Sequence, residues 1–156
     1  MAPGRLRIRV VASALLVCAA DQAVKALVVA AIPASASVPI IPGIFSLTHV
    51  ENTGVAFGLL AGASPLVTVL AALTLVFLLF YNKGRQIRTG AAWPGIAAMA
   101  GGAAGNLIDR VRLGYVVDYL DVHVWPVFNL ADIAIVLGAA VLIIAFSREG
   151  RPASRR

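Results

Sequence analysis

Long apolar stretches separated by short polar ones dominate the chain. They lie at 10–32, 65–81, 91–107 and 130–146, each near the ~17–25 residues that carry a helix across a bilayer. This spacing predicts four membrane-spanning helices in a single integral membrane domain, residues 1–156. Two segments, 33–64 and 108–129, stand between the runs. The first opens with Pro33, Pro39, Pro42 and Gly43, which punctuate against helix. In Ile44–Val50, Ile44, Phe45, Leu47 and Val50 alternate imperfectly with Ser46, Thr48 and His49, predicting a short strand in a small sheet. Asn52-Thr53-Gly54 then makes a turn. The second segment is polar at both ends, with apolar residues at Tyr115–Val117 and Trp125–Phe128, and Tyr119 and Trp125 suit a membrane–water interface. The expected fold class is an all-α membrane protein of four transmembrane helices with a small extracytoplasmic β-sheet and an outer loop or helix.

Composition agrees with this pattern. Of 156 residues, 60% are hydrophobic and 13% charged, and the mean hydropathy is +0.92. Soluble domains carry about 25% charged and roughly 45–50% apolar residues, so a soluble globular protein is excluded. The net charge of +6 raises nucleic acid as a partner until the charges are placed. Ten of the thirteen Lys and Arg fall in the N-terminal arm (Arg5, Arg7, Arg9), the loop at Lys83, Arg85 and Arg88, and the tail (Arg148, Arg151, Arg155, Arg156). With four spans these share one side, which the positive-inside rule makes cytoplasmic. The surplus marks topology, with both termini cytoplasmic, and no nucleic-acid partner is expected.

The arm and the first apolar run also resemble a signal peptide. The run continues past Asp21 and Lys25 to Ile32, however, and Val17 is not the small residue that processing before Cys18 requires. A retained helix is expected, with Cys18, the single cysteine, as packing.

Six of the seven acids, Asp21, Glu51, Asp109, Asp118, Asp121 and Asp132, lie within the membrane or toward its outer side. There they are costly, hence functional candidates; the alternative is capping and loop solvation. Asp21 and Lys25 share one helix face, and a 1.5 Å rise puts Asp21 ~16 Å beyond Val10, near mid-membrane. They suit either a buried ion pair that holds helix register or support for a site. Asp132 closes Asn129-Leu130-Ala131-Asp132 and imitates a capping box. Asp118, fourteen residues earlier, offers a second acid if the chain loops back. Two close carboxylates tend to hold one proton, and aspartyl proteolysis uses such a pair. His49, Glu51, Asp121 and His123 have no diagnostic metal spacing, and no metal site or cofactor is assigned. Neither a His-Glu-x-x-His helix nor a Gly-x-Ser-x-Gly turn is present. Gly101 and Gly105 have the small-xxx-small spacing of close helix packing.

Together the motifs resemble the lipoprotein signal peptidase (signal peptidase II) family. Four blocks match in order: Asp21–Lys25, Glu51–Gly58, Gly101–Arg110 running on to Gly114–Tyr119, and Phe128–Asp132. The second departs mildly, with Val55 and Gly58 where the family usually has Ala and Ser. The resemblance implies an aspartyl endopeptidase at the outer face of the cytoplasmic (inner) membrane. Its substrate would be a diacylglyceryl-modified prolipoprotein, cut just before the lipidated Cys. It also implies that Asp118 and Asp132 form the catalytic dyad, with Asp21, Lys25, Asn52, Gly54, Asn106, Asp109, Arg110, Asn129 and Ala131 binding substrate or supporting the site. Arg110 suits either Asp109 or a lipid phosphate. The helix dipole at Asp132 favours its ionised form and so points to Asp118 as the protonated member, although a shared proton leaves the assignment open. Expected partners are the lipid-modified precursor and membrane lipids, and a monomer is expected. The reading from a different class is a small proton-linked transporter or channel using Asp21, Lys25 and the outer acids.

Overall fold

The structure is a computed structural model and describes residues 3–54, 69 and 92–149. The expected second span, the basic loop at 83–88 and the departures at Val55 and Gly58 lie outside the described residues. Within them, the chain forms α1 (Pro3–Ala31), β1 (Ser37–Ile41), β2 (Phe45–Asn52), α2 (Trp93–Leu113), β3 (Val116–Asp121) and α3 (Leu130–Glu149).

α1 starts seven residues before the expected span because the arm with Arg5, Arg7 and Arg9 continues the helix. Its covered positions, Val10, Asp21, Lys25 and Val28, with Ile32 just past its end, fall at the three- and four-residue steps of one helical face. Ile8, Val11, Leu15, Leu16, Leu27 and Val29 point outward and exposed. α3 likewise exposes Val136, Leu137, Ile143, Ile144 and Phe146. Both helices are long and apolar enough to cross a membrane, and their outward apolar faces suit lipid better than water.

α2 packs on both α1 and α3, which touch each other little. Its small residues make this possible. A Cβ on Gly101 would meet Ala14 and Val17 of α1, on Gly105 the Asp21 carboxylate, and on Gly102 the Ala131 backbone of α3. The small-xxx-small reading of Gly101 and Gly105 is borne out as packing against α1. Val10 clusters with Ile96 and Ala97 while Lys25 meets Asn106, so α1 and α2 run parallel. Ala131 lies against Gly102 and Gly138 against Gly95, so α3 runs antiparallel to both. α2 extends six residues beyond the expected span, carrying Asp109 and Arg110, and ends at Gly114 with φ 84°, whose N–H donates to the Arg110 carbonyl.

The strands form one antiparallel sheet in the order β1-β2-β3. The strand expected at 44–50 is β2, running two residues further to Asn52. β3 is a strand that no alternation announced. Val116, Val117, Asp118 and Tyr119 are all buried, so both faces are covered and no period of two can appear in the sequence. Tyr119, expected at an interface, is instead 3% exposed. It packs with Val28, Ile32 and Val117 between the end of α1 and the sheet. Trp125 is exposed, as an interfacial residue would be.

Candidate active site

The far end of α1 and α2, the start of α3 and the sheet meet around a buried polar cluster. β3 carries Asp118, buried at 2% exposure. Asn52 pairs with neighbouring Val116 across the ladder, which sets it diagonal to Asp118 on the same face. Its amide Nδ2 donates to Asp118 Oδ2 at 2.7 Å. Asn129 Nδ2 donates to Asp118 Oδ1 at 2.6 Å. Asp132 sits half-buried in the first turn of α3. Its Oδ2 accepts the Asn129 N–H at 3.2 Å, and its own N–H donates to Asn129 Oδ1 at 3.0 Å. The capping geometry expected of Asp132 is therefore present. The cap leaves its other oxygen for the site, and Oδ1 accepts from Asn106 Nδ2 at 2.8 Å.

Three asparagines thus aim amide N–H groups at two aspartates. Each is held that way by a group that can only donate. Gly54 N–H donates to Asn52 Oδ1 at 2.9 Å, Lys25 Nζ to Asn106 Oδ1 at 2.8 Å, and Asp132 N–H to Asn129 Oδ1. An amide with its oxygen so engaged must present NH2 on the other side. Asn129 Nδ2 also lies 3.1 Å from Asn106 Oδ1, joining the surroundings of the two carboxylates.

Beneath lies an ionic layer. Lys25 pairs with Asp21 Oδ2 at 2.9 Å and Asp109 Oδ2 at 2.7 Å, and all three residues are almost fully buried. Asp21 Oδ1 accepts the Ala131 N–H at 3.0 Å, and Asp109 Oδ2 accepts the Val117 N–H at 3.2 Å. One ion triad therefore fixes both chain segments that carry the upper aspartates. The register and site-support readings of Asp21–Lys25 both describe it. Arg110 reaches the carbonyls of Asn106 and Gly54, each at 3.4 Å.

All eleven site residues expected from the sequence meet in this cluster. Two further residues belong to it. Gln22 donates to Asp109 Oδ1 at 2.8 Å and to the Gly105 carbonyl at 3.2 Å; its place beside Asp21 in the first block is the only sequence signal for it. The Tyr119 hydroxyl accepts the Leu130 N–H at 3.1 Å, a contact that depends on tertiary approach.

Burial, and secondarily repulsion from Asp132, hold the Asp118 carboxyl protonated to about pH 7 despite the lowering contacts from Asn52 and Asn129. Burial likewise pushes the Tyr119 phenol up to about 12. On the outer part of the sheet, Ser46 Oγ lies 3.1 Å from His123 Nε2, and Asp121 Oδ1 lies 3.4 Å from His123 Nδ1. Ser46 is only 3% exposed, so the trio ties β2 to the turn after β3 rather than offering a nucleophile. His49 is turned inward, with Nδ1 2.8 Å from the Ile32 carbonyl. No three His, Cys, Asp or Glu among the described residues are grouped to hold a metal ion.

Known proteins share this sequence and fold. Residues 13–148 match the family described as "Signal peptidase (SPase) II". The chain is 50% identical over 131 residues to the lipoprotein signal peptidase of Halothermothrix orenii, covering 83% of this chain and 89% of that protein. To the lipoprotein signal peptidase of Moorella thermoacetica it is 46% identical over 132 residues, covering 83% and 86%. A solved bacterial membrane enzyme has a TM-score of 0.84 to it at 27% identity, covering 95% of this chain and 93% of the other. A second gives 0.78 at 29% identity, covering 88% and 92%.

Proposed function

The chain belongs to the signal peptidase II family, and on that premise we propose that it is an aspartyl endopeptidase of the inner membrane. It removes the signal peptide from diacylglyceryl-modified prolipoproteins, cutting before the lipidated Cys. The observation that carries the catalytic assignment is the linking of two unequal carboxylates through Asn129, which contacts both. Asp118 is buried, which holds its carboxyl protonated up to about pH 7, and Asp132 is half-buried at a helix N-terminus. A transporter would also use buried charge, but family membership favours the peptidase.

Asp118 donates its proton to the scissile carbonyl oxygen while Asp132 takes one from the attacking water. The new C–O bond gives a neutral gem-diol. Asp132 then returns its proton to the amide nitrogen while Asp118 takes one from a gem-diol hydroxyl, and the C–N bond breaks, freeing the signal peptide's carboxyl end and the amino group of the lipidated Cys. The dyad is left with its single proton, ready for another cycle. Asn52, Asn106 and Asn129 hold both carboxylates without adding charge, and Gly54 and Arg110 border the same space.

The reading includes one domain with four spans, acting as a monomer, with both termini cytoplasmic. Arg5, Arg7, Arg9 and Arg148 cluster at one end of α1 and α3, while Asp118 and Asp132 lie toward the other. Gly54 stands beside Arg110 at the C-terminal end of α2, whereas Trp93 begins that helix. The chain between them therefore starts and finishes at opposite ends, which suits one crossing by 65–81. The site then faces the outer leaflet, where a substrate with acyl chains in the membrane presents its peptide bond. Asp21 and Lys25 take part in the site's ion triad, which supports a retained α1.

The test is incubation of the purified enzyme with a lipidated precursor, with mass spectrometry of both products and a strong chelator in parallel. A product beginning at the lipidated Cys, formed equally with chelator, is expected. Proton flux in liposomes without cleavage would instead support the transporter, and loss of cleavage with chelator would support metal-assisted hydrolysis.

A further inference from the structure

The geometry points to Lys25 as a positioning residue for the dyad, acting by locking the orientation of the Asn106 amide. This rests on the aspartyl reading above. The Lys25 ammonium has three N–H groups, and its three contacts use them: Asp21 Oδ2, Asp109 Oδ2 and Asn106 Oδ1. Lys25 is 3% exposed, so water does not readily substitute for it. Ion pairing needs only the first two contacts. The third turns Asn106 so that its NH2 faces Asp132 Oδ1.

Without the ammonium, Asp21 and Asp109 each lose one donor, keeping the Ala131 and Val117 N–H groups and Gln22, and the Asn106 amide NH2 is close at hand. Rotation by half a turn would offer it to them. The amide oxygen would then face Asp132 Oδ1, oxygen against oxygen, and that contact favours a proton on Asp132. The proposed base would be occupied before substrate arrived. Among the described residues, the titratable and charged groups around Asn106 and Asp132 are Asp21 and Lys25 from α1, Asp109 and Arg110 from α2, Asp118 and Tyr119 from β3 and Asp132 itself from α3. Lys25 is the cation that engages the Asn106 oxygen, at 2.8 Å, and the neutral Asn129 Nδ2 is its second, longer contact at 3.1 Å. Gln22, which donates to Asp109 Oδ1, holds that acid facing the ammonium.

The test compares Lys25→Met, Lys25→Arg and the double variant Lys25→Met with Asp21→Asn, each assayed on lipidated precursor across pH. The double variant has the same net charge as the starting protein, but the Asn106 oxygen loses its Lys25 anchor and keeps only the neutral Asn129 Nδ2 contact. Unfolding temperature in detergent identifies folded variants. The folded double variant is expected to lose ~10²-fold in kcat, with KM little changed. Its acidic limb is expected to rise by about 1–2 pH units, the size of one lost hydrogen bond to a charged group. Lys25→Arg, which keeps the donors, is expected to recover most of the rate and the original limb. Restored activity and an unshifted limb in the double variant would mean that Lys25 only balances charge, overturning the proposal. Activity retained by Asp118→Asn or Asp132→Asn would instead overturn the aspartyl reading, so the two failures are distinguishable.

Discussion

Asp118 is protonated near neutrality chiefly because it is buried; repulsion from Asp132 adds to this, and the amides of Asn52 and Asn129 oppose it. A carboxyl raised from 3.8 to about 7 contributes stability that is complete below 3.8 and lost as pH rises through about 7. Activity should follow the same proton, with kcat/KM falling on the alkaline side near pH 7 if Asp118 is the acid. Asn52→Ala removes one of the two donors that lower this value, so its alkaline limb should rise by about one pH unit; a pH–rate profile of the folded variant checks this, and a limb moving downward would contradict it. The eleven residues of the cluster were legible in the sequence because they sit in short blocks whose polar members stand out against apolar surroundings. The direction in which each amide faces was not. It is decided by Lys25, Gly54 N–H and the α3 cap, which meet only after the chain folds.

The helices were more legible than the strands. Apolar runs of spanning length identify α1, α2 and α3, while their ends shift because Arg5–Arg9 and Asp109–Arg112 continue helices that hydropathy alone would stop. β3 was illegible for a physical reason: with both faces buried, Val116–Tyr119 has no polar–apolar alternation to read. Tyr119 shows the cost of that omission, since its hydroxyl satisfies the Leu130 N–H at the head of α3. Tyr119→Phe should lower stability by ~1 kcal/mol, seen as a small drop in unfolding temperature. Gly102→Ala tests the helix contact, because its Cβ would run into the Ala131 backbone, which cannot swing aside as a side chain can. A loss of about 1–3 kcal/mol is expected, and cleavage should fall with it because Ala131 adjoins Asp132.

At the scale of the whole molecule, α1 and α2 run parallel and α3 returns, so the arm at Arg5–Arg9 and the end of α3 near Arg148 share one side. Labelling single cysteines, in a background lacking Cys18, with an impermeant reagent on intact spheroplasts tests this. Positions 124 and 44 should label from outside, and position 5 only after the membrane is opened. The central claim is that two unequal aspartates, held by three anchored amides, hydrolyse a peptide bond at the membrane surface. Its most direct test is the rate of lipidated-precursor cleavage by folded Asp118→Asn and Asp132→Asn variants. The account predicts that each loses on the order of 10²–10⁴-fold in kcat, the contribution of a positioned acid or base. Near-normal cleavage by either variant would contradict it.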